Sequence, residues 1–215
     1  FPSDKVDFGA VIPWKTGLLD RAFIQFQHSN SKSLRQDFED FQDKHSFWLP
    51  DFSLFMALKE AYGGGSWVNW PSSLLKREQS AIDQARDSHS MAILRQEFRQ
   101  FIFYRQWDAL REHANREKIL IIGDIPIFVA HDSSDVWAHP ELFYLDGKGD
   151  PTVVAGVPPD YFSKTGQLWG NPLYRWDVHQ AEGYAWWLKR LSAVLELVDI
   201  VRLDHFRGFA GYWQV

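Results

Sequence analysis

Apolar residues in the first half of the chain recur at intervals of three and four, the period of a helix with one buried face. Segments with this period are 16–35, 33–44, 50–62 and 90–116. Pro50 is favourable in the first turn of its helix, and the glycines 63–65 are expected to end that helix. Residues 1–13 are predicted to be extended or loop. Segment 90–116 carries two adjoining apolar stripes, which predicts burial against more than one neighbour.

Two short, nearly continuous apolar runs change this picture in the second half of the chain. They are 118–124 (KILIIGD) and 198–204 (VDIVRLD), and each ends in an aspartate. Such runs are typical of parallel strands that are buried on both faces. An amphipathic helix is predicted over 184–195, directly before the second run. The alternation of helix and strand predicts the α/β class.

The segment between the two strands, 125–180, is too long for a simple connection. It is rich in proline, glycine and aspartate, as in the turn signal at 146–150. In barrel enzymes, long structured loops after a strand build the active site. We therefore expect 125–180 to form a structured insertion at the carboxyl ends of the strands.

Composition excludes several classes of function. The 215 residues are 45% hydrophobic and 24% charged, as in an ordinary globular protein. A net charge of -5 disfavours a nucleic-acid partner. No apolar run approaches the roughly 18 residues of a membrane helix. The absence of cysteine excludes a disulfide framework and thiolate metal sites, and fits a cytoplasmic location. The ends, without methionine at Phe1 and inside an apolar run at Val215, predict that the chain is part of a longer protein.

The second strand ends with an arginine and an aspartate on one face. Side chains alternate along a strand, so Ile200, Arg202 and Asp204 point the same way. In a barrel, one face of each strand points to the interior, and catalytic residues lie at the carboxyl-terminal ends of the strands. An arginine and an aspartate on the inward face at that end would lie where barrel enzymes carry out catalysis. A nearby guanidinium lowers the pKa of a carboxyl, which keeps a nucleophile ionised. A structural ion pair at a strand end gives the same pattern, and the residues alone do not decide between them. The first strand ends similarly, at Asp124.

Segment 156–172 combines aromatic and hydrogen-bonding residues. The aromatic ones are Tyr161, Phe162 and Trp169, and the hydrogen-bonding ones are Asp160, Gln167 and Asn171. Aromatic faces that alternate with polar edges suit the binding of a sugar ring. The whole chain is also rich in aromatic residues, at 16% with 11 tryptophans, which is compatible with sugar binding. The alternative is a loop whose aromatic rings pack down on the rim of the fold.

Two further patterns predict no cofactor site. The acidic and histidine residues between 131 and 139 follow no familiar metal-ligand spacing, so helix capping by Asp132 or Ser133 is expected instead. The triglycine 63–65 lacks the Lys-Ser/Thr ending of a phosphate loop.

Several segments resemble the 4-alpha-glucanotransferases, also called amylomaltases or disproportionating enzymes, of glycoside hydrolase family 77. The segments are 123–129 (GDIPIFV), 153–176 (VVAGVPPDYFSKTGQLWGNPLYRW), 201–208 (VRLDHFRG), 47–59 (FWLPDFSLFMALK) and 6–15 (VDFGAVIPWK). The middle segment is long and specific. The resemblance therefore covers essentially the whole chain.

The resemblance implies a partial (β/α)8 TIM barrel with inserted loop subdomains. Residues 1–215 would be part of a single catalytic barrel domain around its third and fourth strands, with 125–180 inserted on the carboxyl-terminal face. Asp204 matches the nucleophile and Arg202 the arginine that supports it. A glutamate beyond Val215 would be the general acid and base. The residues implied in substrate binding are Asp124, Asp160, Tyr161, Phe162, Gln167, Trp169, Asn171 and His205.

The implied reaction is retaining transfer of α-1,4-glucan segments, including maltooligosaccharides, to a glucose or glucan acceptor through a glucosyl-aspartate ester. It requires no metal or organic cofactor, and its location would be cytoplasmic or, after removal of a transit peptide, plastidic. Two alternatives are an amylase-type hydrolase and an inactive glucan-binding fragment. The fragment alone is expected to be inactive and to fold poorly, since an open half-barrel exposes strand edges and apolar surface.

Overall fold

The computed structural model describes residues 4–161 and 163–215, and its mixed α/β fold confirms the predicted class. The helices are α1 (Phe8–His28), α2 (Lys32–Lys44), α3 (Leu49–Ala61), α4 (Ser72–Leu75), α5 (Gln79–Ser88), α6 (Ser90–Arg116), α7 (Ser134–Ala138), α8 (Trp176–Ala181) and α9 (Ala185–Leu197). The strands are β1 (Ile122–Ile125), β2 (Val154–Val157), β3 (Gln167–Pro172), β4 (Ile200–Leu203) and β5 (Trp213–Gln214).

The prediction of extended or loop structure over 1–13 holds for residues 4–7 and is wrong from residue 8 onward. Helix α1 begins at Phe8, because the side chain of Asp7 accepts a hydrogen bond of 3.2 Å from the backbone N–H of Ala10. This N-cap satisfies a donor that the first turn would otherwise leave unpaired. Pro13 lies inside the helix, where its missing N–H removes a single backbone hydrogen bond.

The helix predicted over 16–35 ends earlier, at His28 in α1, and the separate helix predicted over 33–44 is confirmed as α2. The hydroxyl of Ser31 caps α2 by accepting a hydrogen bond of 3.3 Å from the N–H of Leu34. A serine that bonds locally to the backbone competes with helix continuation. The guanidinium of Arg35 reaches back to the carbonyl of Gln27 at 2.9 Å, which fixes the angle between the two helices.

Helix α6 has the bounds that the periodicity predicted, and its first apolar stripe is buried. Phe98 is 2% exposed and its ring centroid lies 4.9 Å from that of Phe26. The phenylalanine cluster around it consists of Phe23, Phe26, Phe38, Phe41, Leu49, Phe98 and Phe101. The second stripe is not buried as predicted, since Phe103 and Leu110 are 47% and 53% exposed. Apolar burial on this helix is therefore concentrated on the first stripe.

A second core joins the helices to the insertion. This tryptophan cluster includes Trp67, Trp70, Trp137, Tyr174, Trp186 and Trp187. Residues 67–69 form a 3₁₀ turn in which Trp67 is buried. Gly149 packs against it so closely that a Cβ would lie 2.6 Å from the ring of Trp67, and its φ of +85° also favours glycine.

Strands β1 and β4 pair in parallel, as predicted. The register places Ile122 opposite Ile200 and Asp124 opposite Arg202. The carboxylate of Asp199 secures the start of this pair by accepting hydrogen bonds of 2.9 Å from the N–H of Ile121 and 2.9 Å from the guanidinium of Arg111. The register therefore follows from contacts at the amino ends of the strands and brings two functional candidates together at the other end.

The expectation that both strands are buried on both faces is wrong for the described residues. Ile122 is 64% exposed and Ile200 is 44% exposed. On β4, Val201 and Leu203 are half-buried while Ile200 and Arg202 are exposed, so the two faces alternate as expected of a strand. The two-stranded sheet is covered on one side only, near α9.

The insertion 125–180 is structured, although β5 contributes to it from outside that range. Strand β2 lies between β3 and β5 and is antiparallel to both. Within the insertion, an isolated bridge pairs Phe143 with Tyr174, and both residues belong to the buried core that contains the tryptophan cluster. Among the described residues, no helix combines the length and apolar character needed to cross a bilayer.

Candidate active site

A forked ion pair joins the ends of the two parallel strands. The Nε of Arg202 donates a hydrogen bond of 2.5 Å to Oδ1 of Asp124, and a terminal guanidinium nitrogen donates to Oδ2. These hydrogen bonds, and then the charge of Asp124, raise the pKa of Arg202, with Asp204 adding a smaller electrostatic contribution. Both paired side chains are largely exposed, so water screens their attraction. The pair fixes geometry more than it adds stability.

The location of this pair refines the sequence interpretation. Spacing along the strand suggested that Arg202 acts on Asp204, two residues away. The structure gives the forked pair to Asp124, which is 78 residues away in sequence. Arg202 therefore interacts with two carboxylates, with Asp124 through hydrogen bonds and with Asp204 through charge.

Asp204 lies in the turn that follows β4. Its backbone N–H donates a hydrogen bond of 3.2 Å to the carbonyl of Ile125, the last residue of β1. His205 adopts the left-handed conformation with φ of 50°, which turns the chain into the 3₁₀ turn at 206–209. The side chain of Asp204 is exposed. The turn thus presents this carboxylate at the carboxyl end of the parallel pair.

Trp169 reaches this turn from the insertion. Its ring lies edge-on to His205, with centroids 5.2 Å apart and planes at 74°. Its indole N–H donates a hydrogen bond of 3.0 Å to the side-chain oxygen of Gln167. Trp169 is 39% exposed. The structure therefore brings Trp169 and Gln167 together with His205, the residue that follows Asp204, and leaves part of the indole accessible.

The other predicted loop residues support the loop itself. Asn171 donates a hydrogen bond of 2.8 Å to the carbonyl of Val129, and a carboxylate oxygen of Asp160 accepts one of 2.7 Å from the N–H of Ser163. Tyr161 is 97% exposed. Phe162 lies outside the described residues. For Asp160 and Asn171, a role in substrate binding stays a prediction beside their observed role in the loop.

Phe128 is a contributor that the sequence interpretation missed. It is buried, it meets Trp169 edge-on at 6.1 Å, and it stacks on Tyr174 with planes at 20°. Phe128 therefore packs between the indole of Trp169 and the buried ring of Tyr174, and in this way supports the indole. The sequence could have indicated Phe128 through its place soon after β1, inside the segment 123–129 that carried the resemblance.

The expected capping role is confirmed for Ser133. Its hydroxyl accepts a hydrogen bond of 3.4 Å from the N–H of Val136 at the start of α7. Asp132 instead pairs with Lys59 at 2.6 Å. Within 4–161 and 163–215, no group of three or more histidine or acidic side chains is arranged to hold a metal ion.

Comparisons with known proteins agree on one family. The family model described as 4-alpha-glucanotransferase, of glycoside hydrolase family 77, matches residues 2–215. The whole chain is 52% identical to a 4-alpha-glucanotransferase of Thermus thermophilus and covers 43% of it. It is 39% identical to a chloroplastic/amyloplastic 4-alpha-glucanotransferase of Solanum tuberosum and covers 37% of it.

A solved structure agrees with these relatives. The amylomaltase from Streptococcus agalactiae in complex with acarbose superposes with a TM-score of 0.91 at 39% identity. The match covers 98% of this chain and 42% of that one, so the chain spans less than half the length of its relatives. From the family match over 2–215 and these identities, the chain belongs to the 4-alpha-glucanotransferase family.

Proposed function

We propose that this chain is part of the catalytic barrel of an enzyme that moves α-1,4-glucan segments to a glucose or glucan acceptor. Family membership and the likeness to an amylomaltase support the activity. The observation that carries the site is the position of Asp204, exposed in the turn after β4, where His205 meets Trp169. This turn places a carboxylate that can act as the nucleophile near an accessible aromatic ring on which a sugar can stack.

The proposal extends to the architecture. Strands β1 and β4 would be the third and fourth strands of a (β/α)8 barrel, and 125–180 its inserted subdomain. Their parallel register and the helix before each strand support this assignment. The exposed face of Arg202 and Asp124 would then line the barrel mouth, where enzymes of this fold carry their catalytic residues.

The proposed chemistry is a double displacement at the anomeric carbon. The carboxylate of Asp204 attacks this carbon while a general acid protonates the leaving glycosidic oxygen, which releases the first glucan and leaves an ester. The same acid, now a base, takes the proton of the acceptor 4-hydroxyl, which displaces Asp204. The acid is assigned to a glutamate outside 1–215. In retaining enzymes the two carboxyl groups lie about 5–5.5 Å apart, which is close enough for one of them to attack the anomeric carbon directly.

Arg202 would keep a positive charge near the carboxylate of Asp204. Its pKa is raised, chiefly by the hydrogen bond with Asp124, so it remains charged throughout the cycle. A guanidinium near Asp204 favours the ionised carboxylate over the protonated one. Asp124 would hold the guanidinium plane in place through the forked pair.

Transfer requires that a sugar hydroxyl competes successfully with water for the ester. Trp169 offers a partly exposed ring, supported by Phe128 and oriented by the hydrogen bond to Gln167. An acceptor glucose stacked on this ring would displace water from the ester. The ligands proposed are therefore α-1,4-glucans and maltooligosaccharides, consistent with the acarbose that the Streptococcus agalactiae relative binds.

Incubation of the full-length protein with maltotriose tests the proposal. Disproportionation would produce glucose together with a ladder of longer maltooligosaccharides, measured by chromatography. Products no longer than maltotriose would instead indicate an amylase-type hydrolase, and unchanged maltotriose would contradict the activity. We further propose a cytoplasmic location, with a plastid as the alternative that the name of the potato relative raises. Fluorescence microscopy of the tagged full-length protein tests this, since signal confined to plastids would contradict it.

A further inference from the structure

Arg190 on α9 makes an unusually dense set of contacts with the segment that follows β1. Its guanidinium lies over the rings of Trp186 and Trp187, at 5.3 and 4.9 Å from their centroids. One of its nitrogens donates a hydrogen bond of 2.7 Å to the carbonyl of Pro126, and another donates one of 3.3 Å to the carbonyl of Ile127. Two tryptophan rings thus orient a cation toward two consecutive backbone carbonyls.

Tyr174 completes the arrangement from the insertion. This residue is fully buried and its hydroxyl donates a hydrogen bond of 2.6 Å to the carbonyl of Ile127. The same hydroxyl accepts a hydrogen bond of 3.3 Å from Arg190. Burial raises the pKa of Tyr174, so the hydroxyl keeps its proton and remains a donor. The carbonyl of Ile127 therefore has two donors that hold it from different elements.

The residues held in this way contact the turn that carries Asp204. The carbonyl of Ile125 accepts the backbone N–H of Asp204 at 3.2 Å. Ile127 packs against Gly208 so tightly that a Cβ there would lie 2.5 Å from its terminal methyl group. A displacement of 125–127 would therefore be transmitted to both ends of the turn at 204–208.

We propose that Arg190 and Tyr174 are positioning residues that fix the Asp204 turn by holding the backbone at 126–127. Neither side chain needs to touch the substrate. Their effect reaches the carboxylate through the hydrogen bond from Asp204 to Ile125 and the contact of Ile127 with Gly208. The catalytic consequence rests on the proposed role of Asp204, whereas the structural consequence for its backbone does not.

Misplacement of a reacting group by about 1 Å can lower a rate about a hundredfold. Arg190→Met removes three donated hydrogen bonds while keeping a similar volume over the tryptophan rings. We expect kcat to fall about tenfold to a hundredfold with KM changed less than about twofold, since the glucan contacts are elsewhere. Arg190→Lys keeps one charged donor and should recover part of the loss. Tyr174→Phe removes a single hydroxyl and should have a smaller effect of the same kind.

Arg77→Met is the matched control in the full-length protein. Arg77 also lies over a tryptophan, at 4.3 Å from the ring of Trp137, and also donates a strong hydrogen bond, at 2.7 Å to Asp51. It belongs to the helical part of the molecule. A general loss of stability should appear in both variants, measured by thermal unfolding. A kcat loss specific to Arg190→Met separates positioning from stability.

Two readouts separate failure of this inference from failure of the proposed function. Hydrogen exchange of the peptide containing the Asp204 amide should become about fivefold faster in Arg190→Met and stay unchanged in Arg77→Met, since the lost hydrogen bonds favour local opening. Kinetics with maltotriose supply the second readout. Equal exchange in the two variants, or an equal loss of kcat, would overturn the inference. Should Arg190→Met not fold, Arg190→Lys and Tyr174→Phe give the same comparison at smaller amplitude.

Discussion

The phenylalanine cluster and the β1–β4 edge, meaning the exposed face and carboxyl ends of the parallel pair with the turn at 204–208, are organised in opposite ways. In the cluster, side chains such as Phe98 are almost fully buried and meet neighbouring rings at about 5 Å. At the edge, Asp204 and Ile122 are exposed, and order comes from hydrogen bonds and one forked ion pair. Apolar burial therefore holds the helices together, whereas hydrogen bonds of the backbone and of charged groups position the residues proposed to be catalytic.

This division predicts that activity and stability respond to different substitutions. A change in the cluster should destabilise the fold and leave the properties of each remaining folded molecule intact. A change at the edge should alter turnover with little effect on unfolding. Four substitutions in the full-length protein test the comparison, from the largest expected effect to the smallest.

Asp204→Asn should lower turnover of maltotriose about a thousandfold or more, since the amide is a poor nucleophile and forms no ester. The thermal midpoint and the affinity for maltooligosaccharides, measured by calorimetry, should change little. Asp37→Asn, at an exposed position of α2, is the control and should retain full activity. Turnover within tenfold of the unsubstituted protein would remove Asp204 from the role of nucleophile.

Phe98→Ala should lower the free energy of unfolding by about 3–5 kcal/mol, because it leaves a cavity in the phenylalanine cluster. Denaturant unfolding measures this change. Phe103→Ala on the same helix is the control, because Phe103 is 47% exposed and should cost less than about 1 kcal/mol. Similar losses for both variants would contradict the view that one face of α6 carries the packing.

Trp169→Ala should raise the KM for the acceptor about fivefold, from the loss of roughly 1 kcal/mol of ring stacking. Hydrolysis should also increase relative to transfer, because water gains access to the ester. Chromatography of products from maltotriose with glucose as acceptor measures both changes. Trp14→Ala, on α1 and 54% exposed, is the control. An unchanged ratio of hydrolysis to transfer in Trp169→Ala would place the acceptor platform elsewhere.

Asp199→Asn should change how stability depends on acid. The N–H of Ile121, followed by Arg111 and Asn115, lowers the pKa of Asp199 from its ordinary value of 3.8. A lowered pKa contributes stability that is fully present above pH 3.8 and is lost as the pH falls through the folded-state value. The variant should therefore be less stable at neutral pH, and its difference from the unsubstituted protein should shrink below pH 3.8.

Denaturant midpoints over a pH series measure this difference. Asp43→Asn, at an exposed position of α2, is the control and should follow the unsubstituted protein at every pH. A difference that stays constant through the acid range would mean that the hydrogen bonds of Asp199 do not depend on its charge.

Local patterns predicted much of this fold. The bounds of α6, the glycine stop after α3 and the alternation of faces along β4 follow from periodicity and turn chemistry within a few residues. Predictions failed where a single polar side chain overrode the pattern. Asp7 starts α1 at Phe8, inside the segment 1–13 that was predicted to be extended or loop, and Ser31 caps α2 at a position inside the helix predicted over 16–35.

The sequence by itself determined which residues are candidates for the chemistry, because Asp204, Trp169 and His205 stand in a specific motif and in a strand-end pattern. Only the tertiary structure decided their partners. Asp124 holds Arg202 because the parallel register places them opposite each other. Arg190 reaches 126–127 because α9 packs beside β1. Helix caps and periodicity act over a few residues, whereas register and packing join residues that lie far apart along the chain, and sequence spacing carries no record of those contacts.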